Sequence, residues 1–258
     1  MEILNPIPVR VDLHSIQKSA RVPAAEEERL SALLAAAQSV MAAKAVYKVS
    51  YIDAKAEDSV IIGGVLFKSK VLRRHLDKVE RVFPYVVTIG KGVEDLEKAS
   101  GDALEKYYLD LIGNAAVVKA RDHLKIRLAD RYGLEGLSYL GPGQLKDWPL
   151  EEQKPLFSLL GDVESAVGVR LSESLLMIPR KSLSGSKLRA MDPKHPLAEL
   201  TAVQGHHARA AGQQIGLVGD ADQGLHARTE GPSGGQGQRS PAPVRCGLAH
   251  PESPAGNG

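Results

Sequence analysis

The sequence predicts a single α+β domain over about residues 1–190, followed by a disordered, low-complexity tail, residues 191–258. Three observations carry that expectation. Stretches of two-residue apolar alternation and stretches of three- and four-residue recurrence follow one another irregularly, which fixes a mixed class and no more. The longest single pattern, Gly101 to Tyr132, is helical, with Leu104, Tyr108, Leu111, Ala115 and Val118 on one stripe. Composition then breaks. Up to about Ala190 the chain is rich in Leu, Val, Ile and paired charges, and from about Leu200 it turns to Gly, Ala, Gln, Arg, His and Pro. A run such as TEGPSGGQGQRSPAPVR buries too little apolar surface to offset the entropy of ordering it. An out-of-frame reading of GC-rich DNA would give the same composition.

Along the folded part, Asn5 to Leu13 places Ile7, Val9, Val11 and Leu13 on one face, as a strand would, with prolines that suit an edge. Pro23 and the acidic run Glu26 to Glu28 open a helix expected to reach Ala45, the acids lying at the positive end of its dipole. Val46–Ile52 and Ser59–Phe67 read as strands. The pair Gly63-Gly64 inside the second marks a bulge or a close backbone approach. Lys70–Val79 reads as a helix and Tyr85–Ile89 as a short strand. VVTIGKGVEDLEK runs from a strand through glycines into a helix but lacks the phosphate-binding glycine fingerprint and the Lys-Ser/Thr pair, so no nucleotide-phosphate site is assigned. Gly113, Ala115 and Ala116 narrow the middle of the long helix, for helix packing or a flat ligand. Asp110 and Asn114, one turn apart, read as solvated residues or as the lining of a groove. Gly133 ends that helix.

The most informative stretch runs from Tyr139 to Gly185. Gly141, Pro142 and Gly143 fix a sharp turn that leaves backbone groups uncovered. Asp147 stands as an N-cap candidate before Trp148 and Pro149, and Leu156, Leu159 and Leu160 form the stripe of a helix that Gly161 closes. Trp148 is expected to pack back onto that helix, which contains Phe157. A strand through Leu171–Ile178 and a polar loop, Ser182–Gly185, complete the stretch.

Pro142-Gly143, Trp148-Pro149, Gln153 with Phe157, Leu171-Ser172-Glu173-Ser174, Met177-Ile178-Pro179 and Ser182-Leu183-Ser184-Gly185 occur in an order and spacing that resembles the activation domain of cobalamin-dependent methionine synthase. That resemblance, concentrated in residues 80–185, implies a twisted, largely antiparallel sheet flanked by helices. It also implies that the Pro-Gly loop and the Ser-x-Ser-Gly loop lie side by side and form a groove for S-adenosylmethionine. The groove would face a cobalamin carried by a partner protein, with an electron donor supplying the reducing equivalent for reductive methylation. The implied binding residues are Tyr139, Gly141, Pro142, Gly143, Gln144, Ser182, Ser184, Gly185 and Lys187. Three positions depart from the family pattern: Tyr139 stands where the family has an arginine, Gln144 where it has a tyrosine, and Lys187 where it has an aromatic. A tyrosine cannot supply the cationic fork that grips a carboxylate, so Lys187 or Arg180 would have to compensate.

The rest of the sequence excludes more than it adds. Lys and Arg total 33 against 31 acids, a net charge of +2, with no electrostatic footprint for nucleic acid. The single cysteine, Cys246, rules out a disulfide framework, and no apolar run reaches spanning length, so a cytoplasmic, membrane-free protein is expected. No zinc or haem spacing and no nucleophile elbow is present, so neither metal ligands nor catalytic residues are assigned. The expected function is a stand-alone reactivation or docking module for a corrinoid-dependent methyltransferase, not a complete enzyme. The alternative is a non-catalytic corrinoid-protein interaction domain that has lost S-adenosylmethionine binding.

Overall fold

The computed structural model describes residues 1–189 apart from Lys146, and of Ser19, Leu188 and Arg189 the backbone alone. The domain boundary expected at residue 190 and the tail beyond it lie outside the described residues.

An eight-stranded sheet organises these residues, every pairing in it antiparallel. Its axis is β6 (Arg81–Thr88), whose run RVFPYVVT is buried on both faces from Val82 onward. On one side β6 pairs with β10 (Ser182–Arg189), which in turn pairs with β7 (Leu137–Leu140) at the edge. On its other side β6 meets β2 (Lys44–Tyr47) over its second half, with β1 (Glu2–Leu4) beyond. Over its first half it meets β3 (Ser50–Lys55), then β4 (Ser59–Ile62) and β5 (Val65–Lys68). Pro84 is tolerated inside this central strand for a local reason. Its carbonyl accepts from Lys48 N–H at the kink between β2 and β3, so its absent donor faces a place where no ladder bond is required.

One face of the sheet carries Phe83, Tyr85 and Val87 against α5 (Ala103–Tyr132), which presents Ile112, Ala116, Ala120 and Leu124. Such residues contribute roughly 1.5–3 kcal/mol each when fully buried. The helix is set at both ends. Asp102 accepts from the N–H groups of Leu104 and Glu105, and Gly133 at φ +60° closes the last turn by donating to the Ala129 carbonyl. The opposite face carries Val82 and Val86 against α6 (Gln153–Leu160) and α7 (Val163–Val167).

Several sequence expectations are corrected. Asn5–Leu13 is not a strand. Pro6 and Pro8 supply no N–H for a ladder, and the segment has no regular structure, with Ile7 donating to Ala43, until Asp12 caps α1 (Leu13–Ala20). Its alternation is nonetheless real, because Ile7 and Val11 are buried. The helix expected to reach Ala45 is α2 (Glu27–Val40). The alanine-rich continuation instead pairs with β6, so sheet formation overrides helix propensity. Val46–Ile52 divides between β2 and β3. Ser59–Phe67 is a hairpin, and Gly63-Gly64 is its two-residue turn rather than a bulge within a strand. Both glycines have positive φ, +54° and +80°, as a primed hairpin turn requires. Lys70–Val79 shortens to α3 (Lys70–His75), whereas α4 (Gly92–Ala99) follows its strand and glycines as expected. Leu171–Ile178 is likewise a small hairpin, β8 (Arg170–Leu171) with β9 (Met177–Ile178).

Asp147 does cap a helix, but not its own. Its carboxylate accepts from the Ser69 hydroxyl at 2.9 Å and from Val71 N–H at 3.0 Å, at the start of α3. The turn at Leu150–Glu152 that leads into α6 has no side-chain cap. Asp147→Ala is therefore expected to cost about 1–2 kcal/mol in urea unfolding, through α3 and the loop it ties down. No loss would mean that Ser69, which also caps α3, suffices alone.

Candidate functional site

The two segments singled out in the sequence come together, though not as two loops. Ser182–Gly185 is the first half of β10, an inner strand. Small polar residues carry no strand signal, yet here their backbone pairs with β6 along its length. Lys187 lies directly across from Tyr139 on β7, and the turn Gly141–Gln144 leaves the end of β7 to pass over β10. Backbone meets backbone at two glycines. A Cβ on Gly141 would stand 2.9 Å from the Ser184 carbonyl oxygen, and one on Gly185 2.5 Å from that of Leu140. Both glycines are required by this close approach.

The uncovered backbone groups expected of the turn are already engaged. Gly141 N–H donates to Gln144 Oε1 at 2.9 Å, and Gly143 N–H to the Trp148 carbonyl at 2.7 Å. Gly141, Pro142, Ser182, Gly185 and Lys187 are buried; Gly143 and Gln144 are exposed, and Tyr139 and Ser184 lie in between. Ser182 is used internally, its hydroxyl donating to the Pro179 carbonyl at 2.7 Å with Thr88 Oγ1 2.9 Å away. The solvent-facing part of the predicted set is thus Tyr139, Gly143, Gln144 and Ser184.

Lys187 is the anomaly. It is 0% exposed, and its ammonium nitrogen has no hydrogen-bond partner among the described residues. It sits 4.9 Å from the ring centroid of Tyr139 and 5.5 Å from that of Tyr85. Burial, reinforced by the nearby positive charge of Arg121, lowers its pKa to about 7, while Asp122 acts in the opposite sense. Burial also pushes the Tyr85 hydroxyl up, so that ring stays neutral.

Arg121 was not found in the sequence. It lies on α5 with its guanidinium carbon 4.0 Å from the Tyr139 ring centroid, so a cation does stand beside the position that lacks an arginine. Nothing local marks it, since a single arginine in a charged helix resembles any other. Arg180 does not compensate: it pairs with Glu94 and Glu97.

Asp110 and Asn114 are not merely solvated. Both accept from the Lys181 ammonium, whose aliphatic stem crosses α5 at Gly113, where a Cβ would stand 2.9 Å from Lys181 Cε. The small face of the long helix therefore houses a lysine stem. Among the described residues no group of His, Cys, Asp and Glu has the geometry to hold a metal ion, and no helix is long and apolar enough to cross a membrane.

No family model and no curated protein matches the sequence. Among solved structures the chain is similar to a crystal structure of the MetH reactivation domain bound to AdoHcy, with a TM-score of 0.53 and 13% identity. The match covers 83% of this chain and 87% of that one. At this identity the likeness is one of fold, and the chain has the fold of that reactivation domain.

Proposed function

We propose that this chain is a reactivation-type module that holds an S-adenosyl ligand along the turn Gly141–Gln144 and the start of β10, and presents it to a corrinoid protein. The observation that carries this reading is the fold likeness to a reactivation domain crystallised with AdoHcy. The residues present fit the adenosyl part of such a ligand. Gly143 is exposed, and a side chain added there would meet Leu150 alone, at 3.6 Å, so the surface beside it is open to a planar group. Gln144 supplies an exposed amide at the turn, Tyr139 an aromatic ring on the α5 side of the sheet, and Ser184, paired with Val86, a hydroxyl on the other side.

When bound, S-adenosylmethionine would supply a methyl group to a reduced corrinoid carried by the partner, with the electron coming from a separate donor. This chain contributes position. The turn is held by its own hydrogen bonds, so the ligand meets a surface already arranged to receive it. Its backbone donors are spent within the turn, so binding depends on side chains and contact area. That same observation supports the second reading, an interaction domain for a corrinoid protein that has lost the ligand.

Calorimetry on the full chain separates the two. Saturable binding of S-adenosylmethionine and S-adenosylhomocysteine is expected. Gly143→Val forces a β-branched residue onto φ +80° and covers the open surface, and is expected to weaken binding about tenfold or more. If neither ligand binds at millimolar concentration, the reactivation reading fails, and capture of a cobalamin-loaded protein tests the interaction reading directly.

A further inference from the structure

The edge of the sheet at β7 holds more positive charge than its surroundings neutralise. Arg121 donates through Nε and Nη2, at 3.3 and 3.1 Å, to a single oxygen of Asp122, its neighbour in sequence. That carboxylate is 48% exposed while the Arg121 side chain is 13% exposed, so the pair is held on its weak, solvent-screened side. Lys187 lies against the same Tyr139 ring with no acceptor among the described residues. Tyr85 from β6, Tyr139 from β7 and Lys125 from α5 complete the charged and titratable surroundings, and none of them carries a carboxylate. One buried and one largely covered cationic side chain thus face one half-exposed acid at a strand with no outer neighbour among the described residues.

We infer that Arg121 is the group that grips the carboxylate at the amino-acid end of the adenosyl ligand, with Lys187 behind Tyr139 keeping the local potential positive. The inference rests on the ligand reading above. A guanidinium offers two parallel N–H bonds to a carboxylate, a match no other side chain at this edge provides. Exchanging Asp122 for the ligand forfeits a surface pair of little strength. Tyr139 then acts as the plate on which the guanidinium is oriented. The cation absent from position 139 of the strand is supplied by α5, which packs on the same face of the sheet.

Calorimetry with S-adenosylmethionine and with its decarboxylated analogue tests this on the full chain. The wild type is expected to prefer the carboxylate-bearing ligand by about tenfold to a hundredfold, the range for a hydrogen bond to a charged group. Arg121→Met, which keeps the stem over Tyr139, should erase that preference while leaving affinity for the decarboxylated analogue unchanged. Arg121→Lys should restore part of it. Equal loss for both ligands in Arg121→Met, or a wild type that binds both alike, overturns the role of Arg121 and leaves the adenosyl reading standing. A wild type that binds neither overturns both.

Discussion

Lys187→Met is expected to stabilise the protein, by about 4–5 kcal/mol at pH 6, and to remove a rise in stability that the wild type shows on the alkaline side. The buried amine titrates at about 7 in the folded state against an ordinary 10.5. Below about pH 7 it is charged in both states, and the full cost of holding an unpaired ammonium inside the sheet is present. Between about 7 and 10.5 the unfolded chain binds the extra proton, so stability increases with pH at up to about 1.36 kcal/mol per pH unit. Above that window the amine is neutral in both states and the cost is gone. Methionine has a similar stem and no charge, and its thioether suits the rings of Tyr85 and Tyr139. Urea unfolding of both proteins from pH 6 to 10 isolates the effect, because every other group cancels in the difference. Equal stability at pH 6 would mean that the amine is solvated or paired in solution, against its burial here.

Trp148→Ala is expected to act in the opposite direction, with a loss of about 3–5 kcal/mol. The ring is 1% exposed and packs among Val82, Leu140, Leu156 and Leu159, with Phe67 edge-on at 6.5 Å. It faces the core beneath α6, as the sequence suggested, and no part of it reaches the exposed surface of the turn. Its carbonyl, which accepts from Gly143, survives the substitution, so the turn should keep its shape and any ligand its affinity at temperatures where the variant is folded. Wild-type stability with ligand binding lost would instead place the ring in the site. The two substitutions probe opposite faces of one sheet, and each measures what its cluster contributes.

Much of the helical architecture was legible in the chain because its signals are local. Gly133 ends α5, Gly161 closes α6, and the strand-glycine-helix run into α4 reads directly from adjacent residues. The family resemblance carried by Pro142 to Gly185 implied two adjacent segments, and the structure does bring them together. The strands were harder. Gly63-Gly64 was visible, but whether it broke a strand or turned it depended on which residues paired across it. The segment Ser182–Gly185 has a polar, loop-like composition, and it is a strand because β6 and β7 lie on either side to receive its backbone.

By itself, then, the sequence determined the mixed class and the glycine stops of α5 and α6, set by chemistry acting over three or four residues. Tertiary structure alone decided the fate of the charged and polar side chains. Asp147 caps α3, 76 residues from Val71 along the chain, and Lys181 is paired from α5, 71 residues away at Asp110. Lys187 is buried because sheet register turns it toward α5, and Arg121 comes to Tyr139 because register turns that ring toward the face α5 covers. A side chain's partner and its exposure are properties of the surface that closes over it. That surface is contributed by distant parts of the chain, which meet once the sheet has formed.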